Sequence, residues 1–213
     1  MNKNSMAQST QGGRVVKWKG RTASIAPAML SVSLVALSSG MGYAETVIST
    51  GLTTPQQITT DENVTVTSTG SVTLTDEPDT SIIEIDVDDY TSDFLIDGNL
   101  KYTSVGVAQT ISGVSFKDDV SGTLTDVSGT LTNNADITLD NYNSHAFATG
   151  LLVGNVNLGG VIANNGSILV TATAGGDDID ARGWGMSLGD VSGAVSNDGS
   201  IAVTAKAMGS GKS

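Results

Sequence analysis

Apolar and polar residues alternate in a phrase that the chain writes five times: GSVTLT from Gly70, GNLKYT from Gly98, ADITLD from Ala135, GSILVT from Gly166 and GSIAVT from Gly199. In each copy the third and fifth residues are apolar or aromatic: Val72 and Leu74, Leu100 and Tyr102, Ile137 and Leu139, Ile168 and Val170, Ile201 and Val203. A period of two over such a segment predicts a strand with one buried face. The copies start 28, 37, 31 and 33 residues apart. That irregularity suits a constant rung interrupted by loops of different size better than helical repeats of fixed length.

The last three copies carry more than the rung. A shorter strand precedes each one, Thr130-Leu131-Thr132, Val161-Ile162-Ala163 and Ala194-Val195-Ser196, followed by Asn133-Asn134, Asn164-Asn165 and Asn197-Asp198. Asn and Asp tolerate left-handed backbone and Gly adopts it freely, so this Asn-Asn/Asp-Gly/Ala unit predicts a corner between two short strands. Upstream, 150–156 matches 185–191 and supplies a third strand and another corner. A hairpin meander would repeat its alternation every 8 to 12 residues or so with unrelated turns. Here whole strand-corner-strand units recur about every 30 residues, which sets equivalent positions above one another. The expected fold is all-β, a right-handed parallel β-helix of about five coils, its inside filled by aligned Val, Ile and Leu.

Composition agrees with strands. The chain has 213 residues with 26 Gly, 3 Pro, no Cys, 38% hydrophobic and 15% charged residues. Burial must therefore come from aliphatic side chains, with Thr and Ser between them; the missing Cys excludes disulfides and thiolate metal sites.

Charge is segregated. Lys3, Arg14, Lys17, Lys19 and Arg21 are 5 of the 10 basic residues, no acid occurs before Glu45, and an apolar run from Ile25 to Leu37 leads to Gly42-Tyr43-Ala44. That order predicts a secretory signal peptide over 1–44, removed after Ala44. The run is too short for the roughly 20 apolar residues of a spanning helix. The remaining 45–213, a β-helical region with its best repeats at 126–208, has no apolar segment of membrane length. It carries 22 acidic against 5 basic side chains, a formal charge of −17, which excludes nucleic acid and anionic lipid as partners.

The pattern G-x-[VI]-x-N-x-G-x-I-x-V-x-A-x-A, with the Ala-x-Gly steps Ala148-Thr149-Gly150-Leu151 and Ala181-Arg182-Gly183, resembles the passenger repeats of autotransporters, the type V secretion proteins of Gram-negative bacteria. The resemblance covers about 46–208. It implies export through the periplasm to the outer membrane and cell surface, and a C-terminal translocator barrel that the sequence up to Ser213 does not contain. On that view the chain is the front of a longer protein.

Candidate chemistry is sparse. Gly209 to Ser213, GSGKS, imitates the end of a phosphate loop, but Lys206 stands where the motif needs Gly. His145 is the only histidine and is expected in an exposed loop, Asn141 to Ala148. Glu84, Asp86 and Asp88 share one face of a strand expected over Ile82 to Tyr90, opposite buried Ile83, Ile85 and Val87; a solvated acidic face is the expectation. Gly175 to Asp180, GGDDID, does not complete a calcium nonapeptide. Enzymes on β-helices build their groove from long insertions rich in Asp, Arg and Lys, whereas Arg182 is the one arginine after the leader.

The chain is therefore expected not to be an enzyme and to have no catalytic, cofactor or metal residues. It reads as a structural or adhesin-like surface column touching host or neighbouring-cell molecules, with a secreted polysaccharide-active enzyme as the alternative. Its special positions are structural. Asn133, Asn164 and Asn197, with the corner glycines Gly166 and Gly199, are expected to stack into an amide ladder, and Asn141 is expected outside it, in a loop. The last rung, Ile201 to Thr204, is expected to leave open backbone groups and to promote self-association.

Overall fold

The computed structural model describes residues 44–117, 123–177 and 179–209, and every regular element among them is a strand. The predicted leader lies outside these residues except for Ala44, which stands immediately before the first strand. The first turn is β1 (Glu45–Ile48), β2 (Gly51–Leu52) and β3 (Gln56–Ile58); the second is β4 (Asn63–Val66), β5 (Ser71–Thr75) and β6 (Thr80–Ile85). A short β7 (Asp89–Tyr90) precedes β8 (Asp93–Ile96), β9 (Asn99–Val105) and β10 (Thr110–Phe116). Likewise β11 (Asp126–Val127) precedes β12 (Thr130–Asn133), β13 (Asp136–Asn143) and β14 (His145–Leu152). Then come β15 (Val161–Asn164), β16 (Ser167–Gly176) and β17 (Asp180–Ser187), and finally β18 (Ala194–Asn197) and β19 (Ser200–Gly209).

Each of the first five turns adds one strand to each of three sheets, and β18 and β19 extend the first two. The first runs β1-β4-β8-β12-β15-β18, the second β2-β5-β9-β13-β16-β19 and the third β3-β6-β10-β14-β17, with β7 and β11 paired at a corner. The pairings between these strands are parallel throughout, so the molecule is a parallel β-solenoid and not a meander. The register stacks the sequence phrase on itself: Leu100, Ile137, Ile168 and Ile201 form one column, and Tyr102, Leu139, Val170 and Val203 the next. All but the last member of each column are fully buried.

A sixth rung escapes the phrase search. Leu52 pairs with Val72 at the start of the second sheet, but a two-residue strand has no alternation to read. Within the 37-residue interval between Gly98 and Ala135, Lys117 bridges Leu124 in the antiparallel sense.

Two tyrosines tie the column to its corners. Tyr102, buried in the core, donates from its hydroxyl to the Glu77 carbonyl at 2.8 Å, and Tyr90 donates to Glu62 and Asp93 carbonyls at 2.9 and 3.1 Å. Tyr90 also meets Phe116 edge to face at 5.3 Å between ring centroids, a favoured aromatic geometry. In the third sheet Gly113, Gly150 and Gly185 occupy places where a side chain does not fit. A Cβ on Gly150 would lie 2.4 Å from the Gly185 carbonyl oxygen and 2.5 Å from Cγ2 of Ile168.

Candidate functional site

The Asn-Asn corners form two hydrogen-bonded rows. Asn133, Asn164 and Asn197 end β12, β15 and β18 in register. The Asn133 Nδ2 donates to Asn164 Oδ1 at 2.7 Å, and the Asn164 Nδ2 donates to Asn197 Oδ1 at 2.6 Å. Asn133 and Asn164 are fully buried, so the bond between them pairs groups that water cannot reach, while Asn197 at the end of the row is exposed. Above these coils the same column holds Ile96, Val66 and Ile48: one inward position changes from aliphatic to amide halfway along the solenoid. Gly166 and Gly199 follow the amides at the corner, where Gly166 N donates to Asn133 O and Gly199 N to Asn164 O.

A second, exposed row lies one residue on and runs the other way. Asn165 Nδ2 donates to Asn134 Oδ1 at 2.9 Å, and Asn134 Nδ2 donates to Asp97 Oδ1 at 2.8 Å. Asp97 can only accept, so it ends the row. The doubled Asn in the corner phrase carried this signal, because both positions recur and not only the first.

Asn141 corrects the sequence reading. It sits in β13 and not in a loop, fully buried, stacked between Ser104 and Ala172. Its Nδ2 donates to the Gln109 and Phe147 carbonyls at 2.9 and 3.1 Å, while its Oδ1 is buried without a hydrogen-bond partner. The six-residue phrase ends at Asp140, but the strand continues to the next corner, and alternation keeps position 141 facing inward. His145 is likewise in a strand. It opens β14 opposite Asp180 of β17, half-buried, with Nδ1 3.4 Å from Ser144 Oγ.

The acidic strand expected over Ile82 to Tyr90 is broken. β6 ends at Ile85, the chain turns through Asp86 to Asp88, and Ile82 is buried where the alternation put it on the acidic face. Asp86 is drawn into the corner, its N donating to Ile58 O at 2.7 Å and its Oδ2 accepting from Gln57 at 3.2 Å. Glu84, Asp86 and Asp88 therefore do not share a strand face. Gly175 and Gly176 end β16, Gly176 with φ 129°, and Asp180 opens β17; among the described residues no three His, Cys, Asp or Glu gather as a metal-binding group. Residues 210–213 of the phosphate-loop imitation lie outside the described residues.

The outward face of the third sheet is where chemistry can collect. Its register aligns Gln57, Glu84, Ser115, Leu152 and Ser187 in one column and Ser81, Ser112, Thr149 and Trp184 in another. Between Asp79 and Leu124 it forms an open groove of about 410 Å³ with Glu84 and Lys117 at its sides. Ser81 and Ser115 are hydrogen-bonded at 2.8 Å in its floor. Beyond it, Arg182 lies 5.5 Å over the Phe147 ring and is paired to Asp180 at 2.7 Å. Sequence reasoning missed this face because its members come from five separated strands that share no phrase.

Corner carboxylates hold the turns. Asp61 accepts from the backbone N–H groups of Thr91 and Ser92, both at 3.0 Å, and from the Thr91 hydroxyl. Burial pushes this carboxyl up, but the hydrogen bonds from Thr91 and Ser92 outweigh it and hold the pKa below the ordinary aspartate value. Tyr102 is pushed up to about 12 by burial and then by the charges of Glu77, Asp79 and Asp76.

No family model, curated protein or solved structure matches this chain.

Proposed function

We propose that the chain is a secreted or surface-exposed, autotransporter-like passenger fragment with a structural or adhesive role. The observation that carries this reading is the unbroken stacking of repeated coils. Aliphatic columns and a buried amide row fill the inside, and the extended outward faces of three parallel sheets are left to meet other surfaces. Such a column resists bending because each coil is hydrogen-bonded to the next along its length. Its excess of carboxylates directs it away from nucleic acid and anionic lipid, toward protein or carbohydrate on a host or neighbouring cell.

Export and attachment are tested together. Expression with the leader in a Gram-negative host is expected to release protein beginning at Glu45, and the labelled product is expected to bind host or bacterial cells saturably. Retention of residues 1–44 in exported material would refute the leader, and no saturable binding to any cell type would refute adhesion. The groove beside Asp79 and Glu84 favours a second reading, polysaccharide cleavage. Release of reducing ends from plant or bacterial polysaccharides, lost in Glu84→Gln, would establish that reading over the first.

A further inference from the structure

Packing and hydrogen bonding make separate demands on the corner between β15 and β16, and one dipeptide meets both. Gly166 has no room for a side chain: a Cβ there would collide with the Ala135 carbonyl oxygen of the preceding coil and lie 2.8 Å from Asn134 C. Asn165, exposed beside it, is the donor at the head of the outer row, its Nδ2 2.9 Å from Asn134 Oδ1. Asn165-Gly166 is the one Asn-Gly step in the chain. The same corner reads Asp97-Gly98, Asn134-Ala135 and Asp198-Gly199 in other coils, so in this coil alone an amide side chain precedes a glycine.

We infer that Asn165 is a self-modifying site that the stacking of coils holds in check. The reaction is intramolecular, so the reacting groups are always close. The Gly166 backbone nitrogen, its proton lost to water or hydroxide, attacks Asn165 Cγ. The new C–N bond closes a five-membered imide, and Nδ2 takes a proton from solvent and leaves as ammonia. Water then opens either imide carbonyl, giving aspartate or an isoaspartate whose main chain runs through Cγ. Glycine favours the attack because no side chain crowds its nitrogen and its backbone turns freely. In the folded corner the reacting groups are held apart. Gly166 N–H donates to Asn133 O at 3.0 Å, Asn165 N–H donates to the same carbonyl at 2.7 Å, and Ser200 N–H donates to Gly166 O at 2.9 Å. Closing the imide takes Gly166 N away from Asn133 O and Asn165 Nδ2 away from Asn134, so the coil must open first. The two products then differ. Aspartate keeps the main-chain length, and Asp97 and Asp198 already occupy this corner position in other coils. Isoaspartate adds a methylene to the main chain between 165 and 166, where the peptide is pressed between Ala135 and Gly199 of the flanking coils; a Cβ on Gly199 would lie 2.7 Å from Asn165 C. An isoaspartyl coil cannot restack, and one opening is recorded permanently. None of this depends on what the outward faces bind.

The purified full chain, incubated at pH 7 both folded and in urea, tests this. Mass spectrometry of peptides spanning residue 165 follows the conversion, with aspartyl and isoaspartyl products separated by chromatography. In urea Asn165 is expected to convert ahead of every other asparagine, including Asn134, which holds the same corner but precedes Ala135. In the folded chain conversion at 165 is expected to be at least about tenfold slower, because it proceeds only through the open coil. After urea is removed, aspartyl chains should regain the circular dichroism of the parent and isoaspartyl chains should not. Asn165→Asp, made directly, should fold as the parent does. Equal rates in the folded and urea-unfolded chain, or conversion in urea as fast at Asn134 as at Asn165, overturn the inference. Isoaspartyl chains that refold with the parent, or an Asn165→Asp chain that does not fold, overturn it equally.

Discussion

Replacing Asn164 by Asp changes one nitrogen to an oxygen and keeps the shape, which isolates the donor in the buried row. The new carboxylate still accepts from Asn133 Nδ2, now 2.7 Å away, but it faces Asn197 Oδ1 at 2.6 Å with no proton to offer. Asn197 is exposed and can turn its amide over to donate. The remaining cost is that of a charge at a fully buried site in exchange for one amide donor. A lost buried hydrogen-bond partner costs about 1–3 kcal/mol, and that is the expected destabilisation at pH 7. The protonated acid can donate as the amide did, so the folded-state pKa rises above the unfolded value near 3.9. A raised carboxyl pKa means the folded state holds the proton more tightly. The penalty is then absent below about pH 4 and grows as pH rises through and above that value. Urea denaturation of the parent, Asn164→Asp and Asn197→Asp at pH 3.5 and 7 measures this. Asn197→Asp is exposed, still accepts from Asn164, and should stay within about 0.5 kcal/mol of the parent. Equal effects at the two positions, or a penalty at 164 that does not change with pH, would refute the reasoning.

Asn141→Asp removes the donor from the buried Gln109 and Phe147 carbonyls at once and should cost about 2–4 kcal/mol at pH 7 by the same denaturation assay; a neutral result would contradict the buried placement. Gly150→Ala forces a Cβ against the Gly185 carbonyl and Ile168, and a drop of about 1–3 kcal/mol or more in unfolding free energy is expected. Tyr102→Phe loses the bond to Glu77 O, worth about 0.5–1.5 kcal/mol at pH 7. Because the Tyr102 pKa is raised to about 12, its contribution is full below pH 10 and fades as pH climbs toward 12, so parent and variant stabilities should converge over that interval. Asp61, held below its ordinary pKa, contributes above pH 4 and loses that contribution as pH falls through its folded value. Asp61→Asn should therefore flatten the acid limb of the stability profile.

In a parallel solenoid, residues one repeat apart become neighbours in space, so periodicity in the chain is contact in the fold. That is why the inward columns through Ile168 and Val170 and the corner amides 133, 164 and 197 were legible from the phrase alone. Where the chain does not repeat, sequence carries no such address. Asn141 looked like a loop residue because its neighbours Ser104 and Ala172 share neither its type nor its motif, and only the continued strand shows it facing inward. The acidic run at 84–88 kept its alternation on paper. The turn after Ile85 removed the shared face, since a corner is fixed by what the adjacent coils leave room for. The groove walled by Asp79, Glu84 and Lys117, and the glycine positions hemmed in by carbonyls and isoleucines of neighbouring coils, depend on side chains from several turns meeting at fixed height. Local propensity chose the strands; the stacking of one coil on the next decided which side chains each strand would meet.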